Sequence, residues 1–161
     1  MSPIEIISAT TPAQLDALVE LFVEYQRWLD VDLGFQHFDR ELTTLPGDYA
    51  PPQGCLLAAR AAAGPLAGAV GLRPFDDEVC EMKRLFVRPD WRGRGVGRRL
   101  ATAVIDAARD RGYARMRLDT LAGLTAGLEL YRSLGFAPID PYRYNPLPAV
   151  VYLELDLKRS P

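Results

Sequence analysis

Apolar positions change their period along this chain, and each change marks an element. Ile4 to Ser8 is a short apolar run of strand length. Thr11-Pro12-Ala13-Gln14 reads as a helix start. Thr11 can cap, Pro12 suits the first helical position, and Gln14 can reach back to close a capping box. Leu15, Leu18, Val19, Phe22 and Val23 follow at helical spacing, with Glu20, Glu24 and Arg27 mostly opposite, and this helix is expected to end between Asp30 and Gly34. Residues 35–53 mix Phe35, His37, Phe38 and Tyr49 with charges and prolines, which predicts a short helix around 38–43 and then a loop.

From Gly54 the period shortens. Cys55 to Ala61 reads as a strand, Ala63-Gly64-Pro65 as a turn, Leu66 to Phe75 as the hairpin partner, and Val79 to Val87 as a third strand after Asp76-Asp77. Pro89 ends it. Gly93 to Gly97 leads into a helix over roughly 95–111, whose apolar stripe is Val96, Leu100, Val104, Ala107 and Ala108 and whose stop is Gly112. Arg115 to Asp119 alternates as a strand. Residues 122–134 repeat the helical pattern through Leu124, Leu128, Tyr131 and Leu134, ending at Gly135. Phe136 to Asp140 and Ala149 to Leu157 are the final strands. This order predicts a mixed α/β sheet in one domain over residues 1–161, too irregular for a doubly wound nucleotide fold.

Composition narrows the classes. Apolar residues at 48% and charged residues at 25% are ordinary for a globular chain, and a net charge of −2 argues against nucleic-acid binding. Two cysteines, Cys55 and Cys80, are too few for a disulfide scaffold or a zinc site and fit a reducing compartment. No apolar run reaches the roughly 20 residues that span a bilayer, and the N-terminus lacks a basic region followed by an apolar stretch. A cytoplasmic protein without membrane contact or metal is the expectation.

The positive charge is local: Arg88, Arg92, Arg94, Arg98 and Arg99 crowd one segment. Leu85-Phe86-Val87-Arg88-Pro89-Asp90-Trp91-Arg92-Gly93-Arg94-Gly95-Val96-Gly97-Arg98 reads as a strand, a short loop, and glycines at the mouth of a helix. A helix N-terminus presents unpaired N–H groups and partial positive charge, and glycines let an anion approach the backbone. A phosphate or pyrophosphate site follows. A Walker loop needs Lys-Ser or Lys-Thr where Arg98-Arg99 stands. A dinucleotide fingerprint needs its glycines directly after the strand.

Arg92-x-x-Gly95-x-Gly97 resembles the acyl-donor signature of the GNAT (GCN5-related N-acetyltransferase) superfamily, with Leu85-x-Val87-x-Pro89 before it as in that family. Leu130-Tyr131-Arg132-Ser133-Leu134-Gly135-Phe136 is similar to its second signature, a helix ending in Gly-Phe. The resemblance covers about residues 54–157 and, more loosely, the N-terminal helices. It implies an α/β (α+β) fold with a mixed, mostly antiparallel sheet of about seven strands and about four helices. It also implies acetyl-CoA as cosubstrate and direct transfer of acetyl to a primary amine. The backbone of Arg92, Gly93, Arg94, Gly95, Val96, Gly97 and Arg98 would hold the pyrophosphate. Leu85, Phe86 and Val87 would pair with the pantetheine arm, where a bulge splays their strand from Arg115–Asp119. The N–H of Val87 or Phe86 would face the thioester carbonyl.

Tyr131 is then the natural general acid, against the plainer reading of a stripe residue of its helix. Glu81 is the candidate general base, since a protonated amine has no lone pair. Its alternative is an ion pair with Lys83 or Arg84. His37, Tyr49, Asp119 and Tyr142 are candidates for the acceptor site; Asp119 could equally cap the next helix. A noncatalytic acyl-CoA-binding module on the same fold is the other class of reading. The acceptor stays open among small amines, amino acids and peptide or protein amines, and a homodimer stands by analogy alone.

Overall fold

The computed structural model describes residues 3–62 and 64–158; Met1, Ser2 and Ala63 of the expected turn lie outside them. In chain order the elements are β1 (Ile4–Ser8), α1 (Pro12–Leu29), α2 (Phe38–Thr44), β2 (Cys55–Ala61), β3 (Leu66–Pro74), β4 (Val79–Val87), α3 (Val96–Asp110), β5 (Arg115–Leu121), α4 (Thr125–Ser133), β6 (Ala137–Pro138) and β7 (Val150–Asp156). Short 3-10 turns fill Gly34–Gln36, Gly47–Tyr49 and Pro89–Trp91. The seven strands form one sheet in the order β1-β2-β3-β4-β5-β7-β6. Every neighbouring pair is antiparallel except β4 and β5, which run parallel.

The first helix starts as its sequence demands. Gln14 N–H donates to Thr11 Oγ1 at 3.2 Å while Thr11 N–H donates to Gln14 Oε1 at 3.1 Å, with Pro12 at the first turn. The chain leaves through Asp30 in the left-handed conformation.

Side-chain alternation on the strands feeds two cores. Leu57, Ala59, Leu72 and Met82 face α3 and α4, where Leu100, Val104, Ala108 and Leu128 are buried. Leu56, Ala58, Ala69 and Phe86 face α1 and α2, against Leu18, Leu21, Phe22 and Phe38. At a fully buried position such as Leu100, truncation to alanine costs about 2–5 kcal/mol.

Two expected boundaries move. The helix expected from residue 122 begins at Thr125, because β5 runs on to Leu121 opposite Val150 and Ala122 N–H bonds Ala149 O at 2.9 Å. The strand expected over Phe136–Asp140 shrinks to Ala137–Pro138. Phe136 is buried, and its N–H closes the end of α4 on Tyr131 O at 3.1 Å.

Candidate active site

The site begins where β4 stops behaving as a regular strand. Its ladder with β3 pairs Gly71 with Lys83 and then Ala69 with Phe86, three steps on β4 against two on β3. The extra residue is a bulge, and Arg84 within it takes a left-handed φ of 60°. On the other side, β4 pairs with β5 only from Val79–Glu81 to Arg115–Arg117; beyond Glu81 the two strands part. Both edges of the wedge keep their side chains, and a cleft of about 360 Å³ opens between them.

This loop cleft is lined by Leu85, Phe86 and Val87 on one side and by Leu130 and Tyr131 of α4 on the other, and it reaches Gly95–Gly97. Arg88 donates its N–H to Ala67 O on β3 at 2.8 Å. Adjacent residues of a strand turn their backbone groups to opposite sides. Val87 therefore turns its N–H and C=O toward the cleft, and Phe86 does not. Phe86 instead packs in the core, edge-on to Tyr25 with ring centroids 5.8 Å apart.

At the mouth, Gly93 and Gly95 have φ of 75° and 79°, the left-handed region that side chains avoid. The first N–H to bond back into α3 is that of Arg99, on Gly95 O at 3.1 Å. The N–H groups of Val96, Gly97 and Arg98 before it are the open ones of the helix end. Arg92 departs from expectation: its N–H is already bonded to Pro89 O at 3.2 Å. Its guanidinium braces the loop from below, on Val87 O at 3.0 Å and over the Trp28 ring at 4.7 Å. Arg88 is likewise structural, tied to Glu24 and to Leu66 O. Arg94 lies over Trp91 and Arg98 bonds Ser133 Oγ at 2.9 Å.

Tyr131 is buried and borders the cleft, its ring edge-on to Phe136 at 5.7 Å. Its hydroxyl has no hydrogen-bond partner among the described residues. Burial raises its pKa, so the phenol stays protonated. Opposite it, Lys83 and Asp119 meet across the gap at 3.5 Å, both almost wholly buried. Lys83 also donates to Gln36 Oε1 at 3.4 Å, and Asp119 accepts from Asn145 Nδ2 at 3.1 Å. Asp119 is thus a wall residue and does not cap α4. Burial pushes the Lys83 ammonium down to about 8, with Asp119 pulling the other way. Burial alone would raise the Asp119 carboxyl, but Lys83 and Asn145 hold it below the ordinary carboxylate range.

Glu81 lies beneath, fully buried. The partners expected for it go elsewhere: Lys83 to Asp119, and Arg84 to a two-pronged bond with Glu41 on α2 at 3.0 and 3.1 Å. Glu81 instead accepts from Arg73 Nε at 3.0 Å, Arg143 Nη2 at 2.6 Å and Tyr142 hydroxyl at 2.9 Å. These groups form part of a second, open hollow of about 770 Å³, the arginine pocket, walled by Arg73, Glu81 and Arg143 and by α2 with the turn after it. Tyr49 is buried on its wall, and exposed His37 sits at its rim. Tyr142 hangs between Phe75 and Tyr152, edge-on to each at 5.4 Å. Gln36 lines both hollows.

Four contributors were not foreseen. Tyr25 and Trp28 continue the α1 stripe from Phe22 at helical spacing, a signal that was readable. Arg73 and Arg143 converge on Glu81 from sequence separations of 8 and 62, for which no local pattern exists.

A strand that parts from its neighbour beside a glycine-mouthed helix leaves room for an extended, anion-ended ligand. The sequence profile of the Acetyltransferase (GNAT) family matches residues 15–136. The chain belongs to the GNAT acetyltransferase family. An uncharacterized N-acetyltransferase of Schizosaccharomyces pombe is 40% identical over 159 residues, covering 98% of each chain. Among solved structures, a GNAT-family acetyltransferase of Staphylococcus aureus Mu50 superposes with a TM-score of 0.81 at 21% identity, over 97% of this chain and 100% of that one. The Salmonella typhimurium protein yncA, solved with its cofactor acetyl-CoA, superposes with a TM-score of 0.69 at 21% identity, over 99% and 97%. This GNAT enzyme is an N-acetyltransferase with the seven-stranded, four-helix fold expected from its sequence. Among its described residues no helix is long and apolar enough to cross a membrane, and no cluster of His, Cys, Asp and Glu could hold a metal ion.

Proposed function

We propose that this enzyme moves an acetyl group from acetyl-CoA directly to a primary amine, with the donor in the loop cleft and the acceptor entering from the arginine pocket. The observation that carries this reading is the parting of β4 from β5 beyond Glu81, which turns the Val87 N–H into the cleft beside the free hydroxyl of Tyr131. The residues present fit the donor. The open N–H groups of Val96 to Arg98 suit a pyrophosphate, and the left-handed Gly93 and Gly95 let it come close. The free edge of Leu85–Val87 suits an arm with amide groups of its own.

Acetyl-CoA supplies an activated thioester. Val87 N–H then donates to the carbonyl oxygen as charge builds on it, from a backbone that needs no rearrangement to do so. Tyr131 donates its proton to the departing sulfur; burial keeps that proton in place until it is required. Glu81 enters this reading differently from its expected role. Both of its oxygens already accept hydrogen bonds from Arg73, Arg143 and Tyr142, so neither is free to take a proton from an amine. We assign it the positioning of Arg73, Arg143 and Tyr142, and leave amine deprotonation to water. Its side chain is only 1% exposed, which supports the same view.

The test is thiol release from acetyl-CoA with a panel of amines, on wild type beside Tyr131→Phe and Glu81→Gln. Turnover by wild type, loss of kcat in Tyr131→Phe with donor affinity retained, and an unchanged pH-rate limb in Glu81→Gln are expected. Donor binding without thiol release from any amine overturns the reading in favour of a binding module.

A further inference from the structure

Resting on that reading, we infer that the acceptor carries a free carboxylate, and that Arg143 and Arg73 recognise it. The argument starts from charge. On the inner wall of the arginine pocket and just behind it, three guanidiniums, Arg73, Arg84 and Arg143, stand against two carboxylates, Glu41 and Glu81. Arg84 takes both oxygens of Glu41. Arg73 and Arg143 share Glu81, whose second oxygen is also taken by Tyr142. One positive charge is left over on two mostly buried side chains, where an unpaired charge is costly. The other charged wall groups, Arg40 and Asp48, are exposed, and Arg40 makes no ion pair among the described residues.

Donors are left over as well. Arg73 uses only Nε on Glu81 and Arg143 only Nη2, so each guanidinium keeps unused N–H groups. Arg143 Nε and the Tyr49 hydroxyl are buried with no hydrogen bond at all. Both arginine side chains still reach the pocket, 14% and 26% exposed. Arg143 is not adrift: its guanidinium lies over the rings of Phe75 and Tyr142 at 5.8 and 5.5 Å, and its carbonyl accepts from Tyr152 hydroxyl at 3.0 Å. Two braced guanidiniums with spare donors and one surplus charge are built for a planar anion, and a carboxylate matches that fork. The pocket meets the loop cleft at Gln36, so a molecule anchored by its carboxylate extends its far end past Gln36 toward Val87. An amino acid or short peptide with a free carboxylate has the right chemistry at each end.

The experiment measures acetyl-CoA turnover with glycine, β-alanine, γ-aminobutyrate and glycylglycine, each beside its carboxamide, and with phosphoethanolamine. At least one acid should exceed its amide by tenfold or more in kcat/KM, mostly through KM. Arg143→Gln should erase that ratio, lowering kcat/KM for the acid by a larger factor than for its amide, and Arg143→Lys should restore part of it. Arg73 and Tyr142 still hold Glu81 in either variant, so the fold survives, as thermal melting verifies. Equal rates for acids and amides, an equal loss on both in Arg143→Gln, or a preference for phosphoethanolamine over every acid overturns the inference. If no amine is turned over, the transfer reading fails separately, and calorimetry with N-acetylglycylglycine against its amide decides the subsite. Tighter binding of the acid, abolished by Arg143→Gln, sustains it; equal binding overturns it.

Discussion

The two hollows beside β4 are made of different materials. The loop cleft offers a ligand mostly backbone: the cleft-facing edge of Leu85–Val87, the open N–H groups of α3 and the Tyr131 hydroxyl, while the charges on its wall, Lys83 and Asp119, are paired with each other. The arginine pocket is made of charged side chains that reach it from β3, β4, α2 and the loop after β6. Backbone geometry depends on where the chain stops pairing, so most substitutions leave it alone. Side-chain geometry depends on who meets whom, so single substitutions can rewrite it. Under the proposed assignment, the transfer machinery rests on backbone and the choice of acceptor on adjustable side chains.

The sharpest way to break this division is at Tyr131, the one side chain of the loop cleft given a chemical role. Tyr131→Phe should lower kcat by about 10²–10⁴-fold, the range of general acid catalysis, with donor affinity unchanged. Steady-state kinetics beside donor binding by calorimetry check this. A loss confined to KM would make the tyrosine a contact of its stripe and nothing more.

Glycine substitutions separate the hollows in turn. A Cβ on Gly71 would stand 2.6 Å from Cε1 of Tyr49. Gly71→Ala should therefore displace the turn that walls the arginine pocket, cost about 1–3 kcal/mol of stability, and raise the acceptor KM while the donor KM stays put. At Gly95 nothing lies within 4 Å of an added Cβ, but φ is 79°. Gly95→Ala should cost about 1–2 kcal/mol of backbone strain and raise the donor KM with the acceptor KM unmoved. Denaturant unfolding and two-substrate kinetics test both, and a crossed pattern would erase the distinction between the hollows.

The smallest effect lies on the wall between them. Lys83 titrates at about 8 in the fold and near 10.4 in an unfolded chain. Between those values the unfolded state binds more protons, so stability rises with pH from 8 toward 10; below 8 both states are charged and the penalty is constant. Lys83→Met should flatten that rise by roughly 1–2 kcal/mol, seen in melting curves taken from pH 7.5 to 10.

The same division explains what could be read in advance. The loop cleft is a local matter: strand, glycines and helix mouth adjoin in sequence, so Val79–Val87 and the start of α3 were legible from spacing. Tyr131 was found through its resemblance to a family signature. Even there, the choice between Phe86 and Val87 required the β3 ladder, and Arg92 and Arg88 turned out to brace the loop through Val87 O and Glu24. The arginine pocket is nonlocal. Glu81 was singled out, but its partners Arg73 and Arg143 arrive from β3 and from the loop after β6, and no periodicity links them. His37, Tyr49, Asp119 and Tyr142 were grouped as acceptor-site candidates, yet His37 lies at the rim of the arginine pocket, Tyr49 on its wall, Tyr142 against Glu81 and Asp119 on the loop cleft.

Arg84 lines the loop cleft and reaches back to the wall of the arginine pocket. Its backbone makes the bulge that parts β4 from β5, and its side chain is gripped by Glu41 on α2, the helix that walls the other hollow. The grip and the gap are one object, like a pin through two leaves. A molecule on either side whose binding depends on how firmly that pin is held changes the affinity of the other side, and the factor is the same in both directions.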